Sequence, residues 1–285
     1  MQFGDYRVEI VPDTEFRLDG GAMFGIVPRN LWSKVCPPDE QNRIRLNMNC
    51  LFVEAGRERI LIDTGIGEKW SEKQAAMYGI GRERSLEESL RAITGYAPED
   101  ITVVVNTHLH FDHAGGNTKL NEQGKSIPTF PRARYLVSRD EFEHAETPTD
   151  RDRASYLPDN WRPLRASGQL ELKEAEYEIV PGLRMETHVG HNRSMQCPRL
   201  ESGGQTLFGF ADIVPTRAHV QFPWIMGYDL YPVETLLAKK TLLPQAAREG
   251  WWCLFYHDPD EPLCRLVLDE AGKIRPLSSQ EEKGN

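Results

Sequence analysis

No stretch of the 285-residue chain approaches the ~18 consecutive apolar residues of a membrane span, and its start, MQFGDYRVEIVPDTEF, has no basic segment leading into an apolar one. A non-secreted, non-membrane, cytoplasmic protein is expected. Cysteine is sparse and dispersed: Cys36, Cys50, Cys197, Cys253 and Cys264 are odd in number and form no CxxC pair. That argues against a disulfide framework or a thiolate zinc knuckle and suits a reducing compartment. Positive charge is also short, with 34 Lys and Arg against 43 Asp and Glu and a formal net charge of -9. A nucleic-acid partner is therefore not expected. Histidine is scarcer still at 8 residues, yet three fall within THLHFDHAGG at 107–116, directly behind the apolar run ITVVV.

What is present is a folded composition, 39% hydrophobic and 27% charged, long enough for one large core or two modest domains. The first 65 residues read as strands: YRVEIV, RIRLNMNCLFVEAG and RERILIDTG, separated by turn residues. Between them GAMFGIVPRNLWSKVCPPDEQN, 21–42, is a long irregular excursion with Phe24, Trp32 and three prolines, which needs a function or a covering partner. Ser85 and Glu88 have capping-box spacing ahead of a Leu86, Leu90, Ile93 stripe, so a helix precedes ITVVV. ARYLV reads as a strand, SRDEFEHA as a short helix, and the proline-bearing 146–163 as a loop or lid. Further strands follow in ELKEAEYEIVPGLRMETHV, QTLFGFADIV and WWCLFYH, then a terminal hairpin in CRLVLDEAGKI. PVETLLAKKTLLPQAAREG is a helix that Pro244 is expected to bend or break, and 278–285 a solvated tail. The two halves share a loose order of strands and helix, compatible with two packed sheets covered by helices on both outer faces.

His108 and His110 are two apart, so an extended segment projects both to one side; Asp112 continues the alternation and His113 faces differently. One loop of that spacing can serve two adjacent metal centres, but a catalytic zinc needs three protein ligands and an open position. The remaining donors must come from elsewhere. His191 follows a strand beside Gly190, His257 ends WWCLFYH, and Asp212 ends FGFAD. A carboxylate can bridge two metals where a neutral imidazole cannot, which makes Asp212 the natural shared ligand. His144, His188 and His219 read as ordinary polar histidines.

HxHxDH at 108–113, GH at 190–191, Asp212, His257 and the early LIDTG at 61–65 together resemble the metallo-beta-lactamase-fold hydrolases, along essentially the whole chain. The resemblance implies one α/β domain over 1–285, an αββα four-layer sandwich of two mixed sheets with helices on both outer faces, the 21–42 excursion lining its cleft. It implies two divalent ions, zinc first with manganese, iron or cobalt as alternatives. His108, His110 and His191 would bind one, Asp112, His113 and His257 the other, and Asp212 both. Asp63 would hydrogen-bond to the motif loop from behind. Redox members of the family carry glutamate at the second motif histidine, whereas His110 is retained here, which favours hydrolysis.

Two such ions lower the pKa of a shared water, whose hydroxide attacks a carbonyl or phosphoryl centre, with Asp112 orienting it and passing the proton to the leaving group. HVQFPWIMGYDLYP after Asp212 offers Phe222, Trp224, Met226 and Tyr228, which with Phe24 and Trp32 would wall an apolar cleft for a small molecule with an apolar part. The flanking stretches resemble the quorum-quenching N-acyl homoserine lactonase and methyl-parathion-hydrolase branch. Lactonases of that branch have a tyrosine three residues after the bridging aspartate; Pro215 stands there, leaving Tyr228 as the candidate aid to the carbonyl oxygen. A lactonase or esterase is the leading expectation. Phosphotriester hydrolysis, thioester or phosphodiester hydrolysis, and a noncatalytic metal-stabilised scaffold are the alternatives, and a homodimer is left open.

Overall fold

The computed structural model describes residues 1–277, so the tail expected at 278–285 lies outside the described residues. One seven-stranded sheet runs in the order Gln2–Phe3, Tyr6–Asp19, Arg43–Ala55, Glu58–Ile62, Val103–Val105, Arg134–Ser138, Leu170–Lys173. A second runs Tyr177–Val180, Leu183–Thr187, Gln196–Ser202, Gln205–Gly209, Trp252–Leu254, Leu263–Leu268, Ile274–Leu277. Both are mixed. The strands from Glu58–Ile62 to Leu170–Lys173 pair in parallel in the first, as Gln205–Gly209 does with Trp252–Leu254 in the second.

The two-residue period of a strand assigns the layers. Leu51, Val53, Ile60, Ile62, Val103 and Val105 meet Leu183, Met185, Leu200 and Leu207 between the sheets. Their neighbours Phe52, Leu61 and Val104 turn the other way, onto Leu86 and Leu90 of the helix Leu86–Thr94. In the second sheet Cys197, Phe208, Cys253 and Leu266 turn outward onto Leu242, Leu243 and Ala246 of the helix Pro232–Glu249. Runs such as ILI and VVV are apolar throughout because both faces of their strands are covered. The result is the expected αββα sandwich. No helix among the described residues is long and apolar enough to cross a membrane.

Two expectations need correction. The helix Pro232–Glu249 continues through Pro244 without a break, because the hydrogen bond that proline forfeits would have gone to the carbonyl of Lys240, an exposed residue. The 21–42 excursion is partly helical, at Gly20–Phe24 and Arg29–Trp32, and its large rings pack inward. The loop or lid expected at 146–163 carries the short helical turns Arg153–Ser155 and Pro158–Asn160 and leads into the helix Arg162–Ala166.

The donor residues all lie just past the C-terminal ends of strands: His108 beyond Val105, His191 beyond Thr187, Asp212 beyond Gly209 and His257 beyond Leu254. Backbone hydrogen bonds join the two sheets there, Gln196 N–H to Thr107 O and Asn49 N–H to Tyr256 O, each 2.9 Å. One rim of the sandwich therefore gathers donors from both halves.

Candidate metal centre

Asp63 fixes the motif loop. Its carboxylate accepts from the Thr107 N–H and hydroxyl, each at 2.8 Å, and its Oδ2 lies 2.8 Å from His113 Nδ1. To do so it adopts φ 61°, a left-handed conformation that a non-glycine residue holds only where several contacts enforce it. Gly115 and Gly116 let the loop press onto the 64–66 backbone, since a Cβ on either would collide with a carbonyl of Ile66 or Thr64. On the far side Ala211 takes φ 43° immediately before Asp212, so the alanine here bears a strain that a glycine would not.

The donors converge into adjacent clusters, His108 with His110 and His191, and Asp112 with His113 and His257, while Asp212 groups with His108 and His113 between them. Asp212 faces both sides. Its Oδ1 is 3.2 Å from His113 Nε2 and 3.1 Å from His257 Nε2, and its Oδ2 is 3.4 Å from His191 Nε2. Asp112 Oδ2 is 3.6 Å from His257 Nε2. Imidazole nitrogens also meet directly, His191 Nε2 with His110 Nδ1 at 3.0 Å and His113 Nε2 with His257 Nε2 at 3.1 Å. His108 Nε2 is buried with no hydrogen-bond partner. Five buried imidazoles turned toward one another and two carboxylates make no packing sense, but fit two divalent cations between them. A set of nitrogen and carboxylate donors without thiolate accepts zinc, manganese, iron or cobalt.

The electrostatics divide the donors: two imidazoles are pushed toward the neutral form, while His113 and His191 are drawn, against burial, toward the charged form by the carboxylates beside them. Burial, reinforced by neighbouring imidazoles, holds His108 and His110 well below the usual histidine value, so both are neutral with lone pairs available. For Asp212, burial opposes ionisation, but His257, His113 and His191 outweigh it and hold the carboxyl well below its usual range. For His113, burial is outweighed by Asp212 and Asp63, which raise it.

Sequence reasoning missed Asp229. Its Oδ1 lies 3.0 Å from His191 Nδ1 and its Oδ2 accepts from the Thr235 hydroxyl at 2.6 Å, so it orients His191 as Asp63 orients His113. The only signal was an aspartate ahead of a helix start in YDLYP.

Above the donors opens a cleft of about 340 Å³, with Leu18, Met23, Tyr78, Phe111, Met226 and Tyr228 in its walls. Of the aromatic residues expected there, Phe24, Trp32, Phe222 and Trp224 do not line it. Phe24 and Trp32 are buried and stacked at 5.3 Å, Phe24 stacks on His219 at 4.5 Å, and Trp224 meets Phe24 edge-on at 5.5 Å. Phe222 packs on the core beneath Pro232–Glu249. The cause is a tether: buried Lys239 donates to the carbonyls of His219, Gln221 and Trp224, each at 2.7 Å, and draws that loop onto its helix. Met23, next to Phe24, supplies the wall instead. Across the mouth Arg151 donates to Gly227 O at 2.6 Å, and Ala154 and Ser155 also face the cleft, as a lid segment would.

The family model described as the metallo-beta-lactamase superfamily matches residues 44–257. The chain belongs to the metallo-beta-lactamase superfamily. Among solved structures, a probable metal-dependent hydrolase from Staphylococcus aureus is 33% identical over 96% of each chain, with a TM-score of 0.88. An N-acyl homoserine lactonase from Bacillus cereus is 29% identical over 170 residues, 56% of this chain and 61% of that protein. One from Bacillus thuringiensis is 26% identical over 238 residues, 78% of this chain and 86% of that protein. Superfamily fold and paired donor clusters together are those of a binuclear metal-dependent hydrolase.

Proposed function

We propose that the protein opens the ring ester of a lactone, with N-acyl homoserine lactones as the substrate class. The observation that carries this is Asp212, whose two carboxylate oxygens face separate donor sets at the floor of an apolar-walled cleft. The sequence relatives named N-acyl homoserine lactonases support the substrate class. We assign His108, His110 and His191 to one ion, Asp112, His113 and His257 to the other, and Asp212 to both, with zinc as the first candidate.

When bound, two such ions acidify a water and draw charge from a carbonyl oxygen. Asp112 takes a proton at its carboxylate and returns it to the departing ring oxygen as the acyl C–O bond breaks. Tyr228 donates from its phenol to the carbonyl oxygen; burial, then the charges of Asp19 and Asp112, push that phenol up to about 12, so it keeps its proton at neutral pH. The apolar walls hold the acyl chain and exclude water. Arg151 is the only lysine or arginine among the cleft-lining residues, beside Asp112, Asp152 and Asp212, which is a poor match to a polyanionic nucleic acid.

Steady-state assays of the zinc, manganese and cobalt forms on acyl homoserine lactones, plain lactones and aryl phosphotriesters test the reading. The highest kcat/KM is expected on acyl lactones. A phosphotriester turned over more efficiently than every lactone would replace it.

A further inference from the structure

Glu141, on the helix Arg139–Glu146, has no exposed surface and no part in the chemistry above. Its Oε1 accepts from the Leu109 N–H at 2.8 Å and the Tyr156 hydroxyl at 3.1 Å. Its Oε2 accepts from Asn192 Nδ2 at 2.8 Å and the Ser194 hydroxyl at 2.6 Å. Leu109 lies between His108 and His110, and Asn192 follows His191. One carboxylate thus ties together the two loops that supply the three donors of one cluster. Tyr156 extends the tie, with its ring edge-on to His110 at 4.7 Å and its backbone bridged to residue 110.

The arrangement is expensive for a purely structural device. The four hydrogen-bond partners of Glu141 are all neutral groups, a backbone N–H, two hydroxyls and an amide. A buried carboxylate without a counter-ion is less favourable than an apolar residue of its size unless donors and a nearby positive charge offset it. Here four neutral donors saturate the oxygens, and they come from segments flanking a cation site. The residues that make Asn192 and Ser194 available are the NRS of GHNRS.

We propose that Glu141 is a positioning residue that sets the register of the His108–His110 loop against the His191 loop, and with it the affinity of that donor set for a divalent cation. The inference rests on the binuclear reading of the site and is independent of the substrate.

Glu141→Gln keeps the shape but removes the charge and turns one acceptor into a donor facing Asn192 and Ser194. With Zn2+ as the probe, titrated into metal-free protein against a chromophoric chelator, one of the two sites should weaken by ~10- to 100-fold, the range for losing a group that orients a ligand. The other should stay close to wild type. Unchanged affinity at both sites overturns the proposal, and so does a lowered metal-free Tm with both affinities intact, since that marks a merely structural group. Asn192→Ala and Ser194→Ala each remove one donor and keep the charge, and a smaller weakening of the same site is expected. Should Glu141→Gln fail to fold, these two decide the matter, and wild-type Zn2+ affinity in both overturns it. If the wild-type protein turned over no lactone, the substrate reading would fail while the Zn2+ titrations still judged this one.

Discussion

On one side of Asp212, His113 is backed by Asp63; on the other, His191 is backed by Asp229. Both are buried carboxylates facing an imidazole Nδ1, but they are anchored to different parts of the molecule. Asp63 closes the strand Glu58–Ile62 and also holds the Thr107 backbone across the parallel pairing to Val103–Val105, so its brace is the sheet. Asp229 stands on the loop that carries Met226 and Tyr228, held by Thr235 in the first turn of Pro232–Glu249. Hydrogen bonds from Leu230 N–H to His191 O and from Tyr231 N–H to Gly190 O bind that loop to the one that carries His191. The His191 side is thus mechanically joined to the Met226–Tyr228 wall of the cleft, and the His113 side to the sheet. Perturbing that one wall should be felt as metal geometry on the His191 side.

The comparison breaks altogether at Asp212. Asp212→Asn removes the anion common to both clusters and leaves five imidazoles with one carboxylate. Elemental analysis should return at most one ion per chain, and kcat/KM should fall by more than the ~100-fold typical of losing a bracing group. Retention of two ions with near-wild-type activity would show that the clusters do not depend on a shared ligand.

The paired variants Asp63→Asn and Asp229→Asn sharpen it. Each should cost ~10- to 100-fold in affinity for one ion, and for a different one in each case. Asp63→Asn should also lower the metal-free Tm, since it disturbs three buried hydrogen-bonding groups at ~1–3 kcal/mol each when left unsatisfied. Asp229→Asn should instead raise KM, because the loop it pins carries Tyr228. Titration with Co2+, followed by absorbance, resolves the two binding events. Identical Tm and KM changes in both variants would mean the two braces are equivalent.

How much of this was legible follows from how local each feature is. The clustering of the histidine and aspartate side chains was legible because HxHxDH sits in one loop and no packing rule calls for it at a strand end. The sandwich was readable from alternation and capping, though VVV, buried on both faces, does not say which valine points to which layer. Asp63 was readable only through LIDTG. Asp229 and Glu141 were not, because each acts through a contact that the chain makes far from its own neighbours in sequence. The walls were misread for a related reason. A segment rich in aromatic rings suggests a pocket, but rings stack best on one another, and Phe24, Trp32, His219 and Trp224 satisfy themselves that way. Beside those rings it is Met23 and Met226, with flexible side chains that fit irregular walls, that reach the cleft. Nothing in PVETLLAKK announces that Lys239 would reel in three carbonyls.

The smallest expected effect separates wall from prop. Met226 faces the cleft and is nearly buried, whereas Trp224 supports Phe24 from behind without reaching the cleft. Truncating Met226 to alanine removes apolar contact with a long acyl chain, worth roughly 1.5–3 kcal/mol if the contact is complete, or about ten- to a hundredfold in kcat/KM. A short-chain lactone never reaches that wall and should lose much less. Trp224→Ala opens a cavity among stacked rings instead, so its main effect should be on Tm, with long and short substrates affected alike. The Lys239 tether adds a further reason: with Trp224 O still held, the loop keeps its path and the metals stay in place. A thermal melt beside kinetics on one long-chain and one short-chain acyl lactone distinguishes the two variants. Chain-length discrimination lost in Trp224→Ala but kept in Met226→Ala would reverse the assignment of wall and prop.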